Sequence, residues 1–143
     1  MIPVAITSFA LRKIEEYTNK PYEQIGFLIG ELTSDGLLVR NVICGEGDAN
    51  GFCSVISAES LARIADDIVN GRINGRIVGW FHSHVGAGVF MSETDLQTQL
   101  KLQQFSPYVV ALVIDTVEKQ FGIFGYDPQQ GLVQIPEEYI RIV

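Results

Sequence analysis

Hydrophobic and polar positions change period several times along the chain, and each change marks an element. Ala10, Leu11, Ile14 and Tyr17 recur at helical spacing. They predict a helix from a Ser8 cap to about Asn19, with Pro21 beyond it as a stop. Residues 25–29 and 37–43 are apolar runs joined through Thr33-Ser-Asp-Gly36, a turn rich in residues that tolerate unusual backbone angles, and predict two antiparallel strands. Residues 45–56, with Gly45, Gly47 and Asn50-Gly51, read as loop or sheet edge. Leu61, Ile64, Ala65 and Ile68 follow an i, i+3, i+4, i+7 stripe, so a second helix is expected from a Ser57 cap to Asn70-Gly71.

Residues 77–81 and 108–114 are short continuous apolar runs, the pattern of central strands covered on both faces. A third helix is expected between them, from about Ser92 to Phe105. After them, residues 121–126 read as a strand paired through a turn near 115–119. Residues 132–143, which include Pro136, suit either an edge strand or a short helix. The alternation predicts an α/β fold with helices packed on a mixed central sheet. No composition break marks a linker, so one domain is expected over residues 1–143.

Composition narrows the classes. A chain of 143 residues that is 47% hydrophobic can bury a core and is too apolar for a disordered tail. Ten Lys and Arg against seventeen Asp and Glu give a net charge of −7. With no basic cluster to follow a phosphate backbone, nucleic acid is not an expected partner. The apolar runs fall far short of the ~20 residues that span a bilayer, so no membrane partner is expected. Met1-Ile-Pro-Val-Ala-Ile-Thr lacks the charged region and cleavage site of a signal peptide, and a soluble cytoplasmic protein is expected. Cys44 and Cys53 stand nine apart, outside any zinc-ribbon spacing, and read as small buried or half-buried thiols with no functional role.

Candidate chemistry is confined to one stretch. The two histidines of the chain form His82-Ser83-His84, directly after the apolar run 77–81, and strand alternation sends both imidazoles to one side. Ser92 and Asp95 follow, giving His-x-His-x7-Ser-x-x-Asp. A strand end then offers two nitrogens, and the first turn of the next helix offers a carboxylate. Two neutral imidazoles and a carboxylate are the ligand set of a catalytic zinc that keeps a fourth position open for water. Each part also has a plainer reading. A His-x-His pair can be ordinary hydrogen-bonded side chains, and Ser92-x-x-Asp95 is a helix capping box. The two readings of the box are compatible, because capping holds both residues in place.

These residues resemble the JAMM zinc signature of MPN-domain metalloproteases, and Gly79-Trp-Phe-His-Ser-His84 is similar to the strand that leads into it. The upstream Glu-x-x-Gly-x-Leu-x-Gly context of that family is matched by Glu23-Gln-Ile-Gly26-Phe-Leu28-Ile-Gly30. The resemblance covers essentially the whole chain and points to the branch of the proteasome-lid deubiquitinase and its prokaryotic and archaeal homologues. It implies a single MPN domain in a cytidine-deaminase-like three-layer arrangement, with Zn2+ held by His82, His84 and Asp95. It also implies Glu23 as general base and acid, and Ser92 as donor to the oxyanion. Read alone, Glu23 is an ordinary exposed residue after a helix.

The activity implied is removal of ubiquitin or a ubiquitin-like modifier from lysine by a zinc-activated water. The alternatives are a peptidase trimming a sulfur-carrier protein behind its Gly-Gly, and a non-catalytic MPN scaffold. A cytidine-deaminase-type zinc site is disfavoured, because its Pro-Cys-x-x-Cys pair is absent. Implied partners are ubiquitin or ubiquitin-like conjugates, the proteasome or another MPN domain, and a second copy of the chain as a homodimer. An extended Gly-Gly tail is expected to bind by adding to an exposed strand or loop edge. Two departures stand out. Val85 replaces the proline usual after the second histidine and is followed by Gly86-Ala-Gly88, which predicts a looser loop. The chain also leaves little room for substrate-gripping insertions, with residues 45–56 as the one remnant.

Overall fold

The computed structural model describes residues 2–44, 58–104, 106 and 108–143. Its elements in chain order are β1 (Val4–Ile6), α1 (Ser8–Thr18), β2 (Ile25–Thr33), β3 (Gly36–Cys44), α2 (Ala58–Val69) and β4 (Arg76–His84). Then come α3 (Glu93–Gln103), β5 (Val110–Asp115), β6 (Gln120–Asp127), β7 (Gly131–Gln134), a 3-10 turn (Glu137–Tyr139) and β8 (Ile140–Ile142). The expected cap at Ser57, the loop reading of 45–56, Cys53 and Phe105 lie outside the described residues.

All eight strands join one mixed sheet in the order β7-β6-β5-β4-β2-β3-β1-β8. β2 pairs antiparallel with both β3 and β4, whereas β4 and β5 run parallel, with α3 in the crossover between them. Alternation along the strands sorts side chains onto two faces. Leu28, Phe81, Leu112 and Ile123 pack with Ala10, Leu11 and Ile14 of α1 on one face. Phe27, Trp80, Ala111 and Val113 pack with Ile64 of α2 and Leu102 of α3 on the other. The protein is therefore an α/β molecule of three layers: α1, the sheet, then α2 with α3.

Local chemistry explains most boundaries. α1 is capped by Thr7, not Ser8, because the Thr7 hydroxyl accepts the Ala10 N–H at 3.0 Å from extended backbone. Its buried face extends to Thr18, whose hydroxyl bonds back to Ile14 O at 2.7 Å. The expected turn closes the β2–β3 hairpin, pairing Thr33 with Gly36. On α2, Ile64 is buried but Ala65 is exposed, so the predicted stripe is narrower than its spacing suggests. The run at 77–81 is the middle of a longer strand, since β4 continues through His84. Residues 132–143 hold both alternatives in succession, a strand and then a short helical turn, and end in β8. β1 has no counterpart in the sequence reading: three residues are too few to show a period. It runs parallel to both β3 and β8.

Among the described residues, no helix is long and apolar enough to cross a membrane. Cys44 is half-buried, and that burial pushes its thiol upward despite the opposing charges of Lys13 and Lys20.

Candidate metal centre

β4 is a central strand, held by β2 on one side and β5 on the other, and its last three residues are fully covered: His82 and His84 are buried, and so is Ser83 between them. Alternation sends His82 and His84 to the same face as Trp80, the face on which α3 lies. α3 starts there because Ser92 caps it. The Ser92 hydroxyl accepts the Asp95 N–H at 3.2 Å, and Asp95 Oδ2 accepts the Ser92 N–H at 2.9 Å, so the capping box closes in both directions. The box aims the Asp95 carboxylate at the strand end. Oδ2 lies 2.8 Å from His82 Nε2 and 3.6 Å from His84 Nε2.

This donor set suits a cation. Its three ligand atoms lie within 4.8 Å of one another. Donors about 2.05 Å from a zinc at tetrahedral angles stand about 3.3 Å apart, between the two carboxylate–imidazole separations above. His82 carries the sharper sign. Both its ring nitrogens are buried without a hydrogen-bond partner, and Nε2, although 2.8 Å from Oδ2, is not aligned to donate to it. A buried polar atom left unpaired costs about 1–3 kcal/mol, and a metal ion shared with Asp95 would remove that cost at Nε2. Electrostatics agree. Partial burial works against ionisation of Asp95, but His82, His84 and the Ser92 N–H outweigh it and hold the carboxyl far below the usual carboxylate range. His84 is raised, chiefly by Asp95 and against its own burial, with the Gly88 carbonyl and the charge of Glu23 acting in the same direction.

Further residues hold the ligands, and sequence reading passed them over. The His82 ring stacks on Trp80 at 4.7 Å and 16°. Trp80 Nε1 donates to Gln99 Oε1 at 2.7 Å, and the fully buried Gln99 donates onward to Val109 O at 2.8 Å. The series continues through the T-shaped contact of His82 with His84 and the tilted contact of His84 with Phe90 at 4.7 Å. His84 Nδ1 lies 2.8 Å from the Gly88 carbonyl. A carbonyl can only accept, so Nδ1 is the protonated nitrogen of this contact and Nε2 is the one left to face a ligand.

Glu23 is exposed on the segment before β2, where its charge reaches His84. Its position is set by its neighbour. The Gln24 N–H donates to Ser83 Oγ at 2.8 Å, and Ser83 N–H donates to Gln24 O at 3.0 Å. Ser83 thus ties the Glu23 segment to the strand that carries both histidines. Gly26, two residues into β2, is required by close approach: a Cβ there would stand 2.4 Å from the Phe81 ring. The structure brings His82, His84 and Asp95 together, with Ser92 at the cap; Glu23 lies outside that cluster and acts on His84 through its charge.

Of the strand or loop edges expected to take an extended tail, the loop at 45–56 lies outside the described residues. Among the described residues, the free edges are β7 and β8, three and four strand spacings from β4, or about 14 and 19 Å.

The family model described as "JAB1/Mov34/MPN/PAD-1 ubiquitin protease" matches residues 3–108. The ubiquitin carboxyl-terminal hydrolase RPN11 of Saccharomyces cerevisiae is 30% identical over 124 residues, covering 83% of this chain and 40% of its own length. The AMSH-like protease of Homo sapiens is 28% identical over 127 residues, covering 87% of this chain and 28% of its own. The NAD(+) hydrolase TcpA of a Theionarchaea archaeon is 35% identical over 97 residues, covering 68% of this chain and 28% of its own. The chain thus spans well under half the length of these relatives.

Proposed function

This chain belongs to the JAB1/Mov34/MPN/PAD-1 family, and from that premise we propose that it is a zinc-dependent isopeptidase releasing ubiquitin or a ubiquitin-like modifier from lysine. The observation that carries the reading is the convergence of His82 Nε2, His84 Nε2 and Asp95 Oδ2 on one point, with His82 otherwise unpartnered. Relatives named as a ubiquitin carboxyl-terminal hydrolase and as an AMSH-like protease support the substrate class. A pairing module without catalysis has no use for such a donor set, which weighs against a scaffold. Ubiquitin-like conjugates are the partners this reading requires. Association with the proteasome, another MPN domain or a second copy, and a cytoplasmic location, belong to the same proposal.

On this reading His82, His84 and Asp95 hold Zn2+. Zinc held by these three residues would lower the pKa of its water to roughly 7 and polarise the scissile carbonyl. Glu23 takes the proton of the attacking water and delivers it to the departing lysine amine, serving as base and then acid. Ser92 has its hydroxyl oxygen engaged by the Asp95 N–H, so its own proton is available to donate to the developing oxyanion. Ser92→Ala is expected to lower kcat by about 10²- to 10³-fold, as loss of one oxyanion donor does. It should also remove about 1 kcal/mol of helix capping. Ser92→Thr is the rescue control, because threonine keeps both the cap and a donor and should restore both kcat and stability. Steady-state kinetics beside thermal melts read both, and unchanged kcat in the alanine variant removes Ser92 from the mechanism.

The deciding experiment is elemental analysis of the purified protein together with cleavage of a lysine-linked ubiquitin-like conjugate, with and without a chelator. One zinc per chain and cleavage that stops with chelator and returns with zinc are expected. A chain that binds no zinc sinks the reading. A conjugate carrying the same modifier as a linear C-terminal extension distinguishes isopeptide cleavage from trimming behind Gly-Gly.

A further inference from the structure

We propose that Asp115 is a positioning residue of this centre: its carboxylate fixes the Gly88 carbonyl against Nδ1 of His84, and so sets which imidazole nitrogen is free for metal. The inference rests on the reading of His84 as a ligand. Asp115 ends β5 directly beside His84 in the parallel β4–β5 register and is 0% exposed. Its two oxygens divide their partners. Oδ1 accepts the N–H groups of Gly86 at 3.1 Å, Val117 at 3.0 Å and Glu118 at 2.9 Å, while Oδ2 accepts that of Gly88 at 2.6 Å. One side chain thus joins the β5–β6 turn to the loop leaving β4.

That loop has little else to hold it at its glycines. A Cβ on Gly88 would meet nothing within 4 Å, and one on Gly86 would only touch Val117 at 3.8 Å. The side a Cβ would occupy is thus open at both glycines, while the adjoining Val89 packs on the sheet and the Phe90 ring lies 4.7 Å from that of His84. Both glycines take positive φ, +90° at Gly86 and +95° at Gly88, which glycine adopts without a Cβ penalty. This turns both N–H groups inward around the carboxylate as an anion nest. The same turn presents Gly88 O to His84 Nδ1 at 2.8 Å. The loop expected to be loose after Val85 is thus tied down by a buried carboxylate, and the tie passes through one residue to a candidate ligand.

The division of partners makes Asp115→Asn a selective test. An asparagine with its oxygen at Oδ1 keeps three of the four bonds and sets an NH2 group against the Gly88 N–H, donor against donor. The fold should survive while Gly88 shifts. The chain contains only two imidazoles, so long-range proton–nitrogen NMR spectra of the metal-free protein report them directly. Zinc affinity is read separately, by competition with a chromophoric chelator. His84 is expected to hold its proton on Nδ1 in the unsubstituted protein and to show mixed tautomers in Asp115→Asn. Zinc affinity should fall about 10- to 100-fold, the range for loss of an outer-shell partner.

An unchanged His84 tautomer with zinc affinity within about twofold would overturn the proposal. Should the variant not fold, the unsubstituted protein decides. Slow hydrogen exchange at the Gly88 amide with a protonated Nδ1 supports the link, and open-loop exchange or an unprotonated Nδ1 refutes it. Absence of zinc binding in the unsubstituted protein would instead defeat the metalloprotease reading, and the tautomer comparison would still decide the role of Asp115.

Discussion

Glu23→Gln is expected to lower isopeptide cleavage by about 10²- to 10⁴-fold, the usual contribution of a positioned acid–base group, while zinc content stays at that of the unsubstituted protein. The reason is geometric. Glu23 stands outside the donor set of His82, His84 and Asp95, so its loss removes no ligand. Glutamine keeps the size and polarity of the side chain but cannot take up a proton. The Gln24–Ser83 bonds that place the segment involve the backbone of Gln24, not the Glu23 side chain. Position and fold should therefore be unchanged, and the loss should fall on kcat. Single-turnover cleavage with metal analysis on the same preparation makes the measurement. A Glu23→Gln protein that cuts at the original rate excludes Glu23 as base, whatever its zinc content.

Removal of Asp95 should have the larger effect on metal. Asp95→Ala deletes one of three donors and the sole carboxylate among them, and zinc affinity is expected to fall by more than the roughly 10- to 100-fold that outer-shell changes produce. The same residue closes the capping box with Ser92, so alanine should also cost about 1 kcal/mol of stability. Asp95→Asn separates the roles. Its amide oxygen can still accept the Ser92 N–H, which preserves the cap, but the neutral group is a far poorer partner for a cation. Both variants should lose zinc and cleavage, and of the two metal-free proteins the alanine variant should melt earlier than the asparagine variant. Stoichiometric zinc in Asp95→Asn would show that the two histidines hold metal without the carboxylate, contrary to the proposed ligand set.

How much of this could be read from sequence varies with the range of the interaction concerned. His82 and His84 were legible because alternation on a strand is a local rule, and Ser92 and Asp95 because a capping box spans three residues. Glu23 was legible only through the resemblance carried by the Gly26 and Leu28 context. The supporting residues were not legible. Ser83 looks like a spacer between two histidines until its hydroxyl is seen to accept the Gln24 N–H from 59 positions away. Gln99 reads as a surface helical residue, yet it is fully buried, holding Trp80 beneath His82. Asp115 reads as the first residue of the turn near 115–119, and its tie to Gly88 spans 27 positions.

The sequence by itself determined the α/β class, the hairpin of β2 and β3, the three helices, and the strand and cap that carry the proposed ligands. Each of these follows from side-chain period, turn residues or capping over a few positions. Tertiary structure alone decided that β2 and β5 are the strands flanking β4, and that α3 crosses back to set Asp95 against the strand end. It also decided that three-residue β1 pairs with β8, joining opposite ends of the chain. Pairings of this kind come from backbone hydrogen bonds and apolar burial shared between distant segments. No local window contains both partners, so the residues that hold a site in place stay hidden until the segments meet.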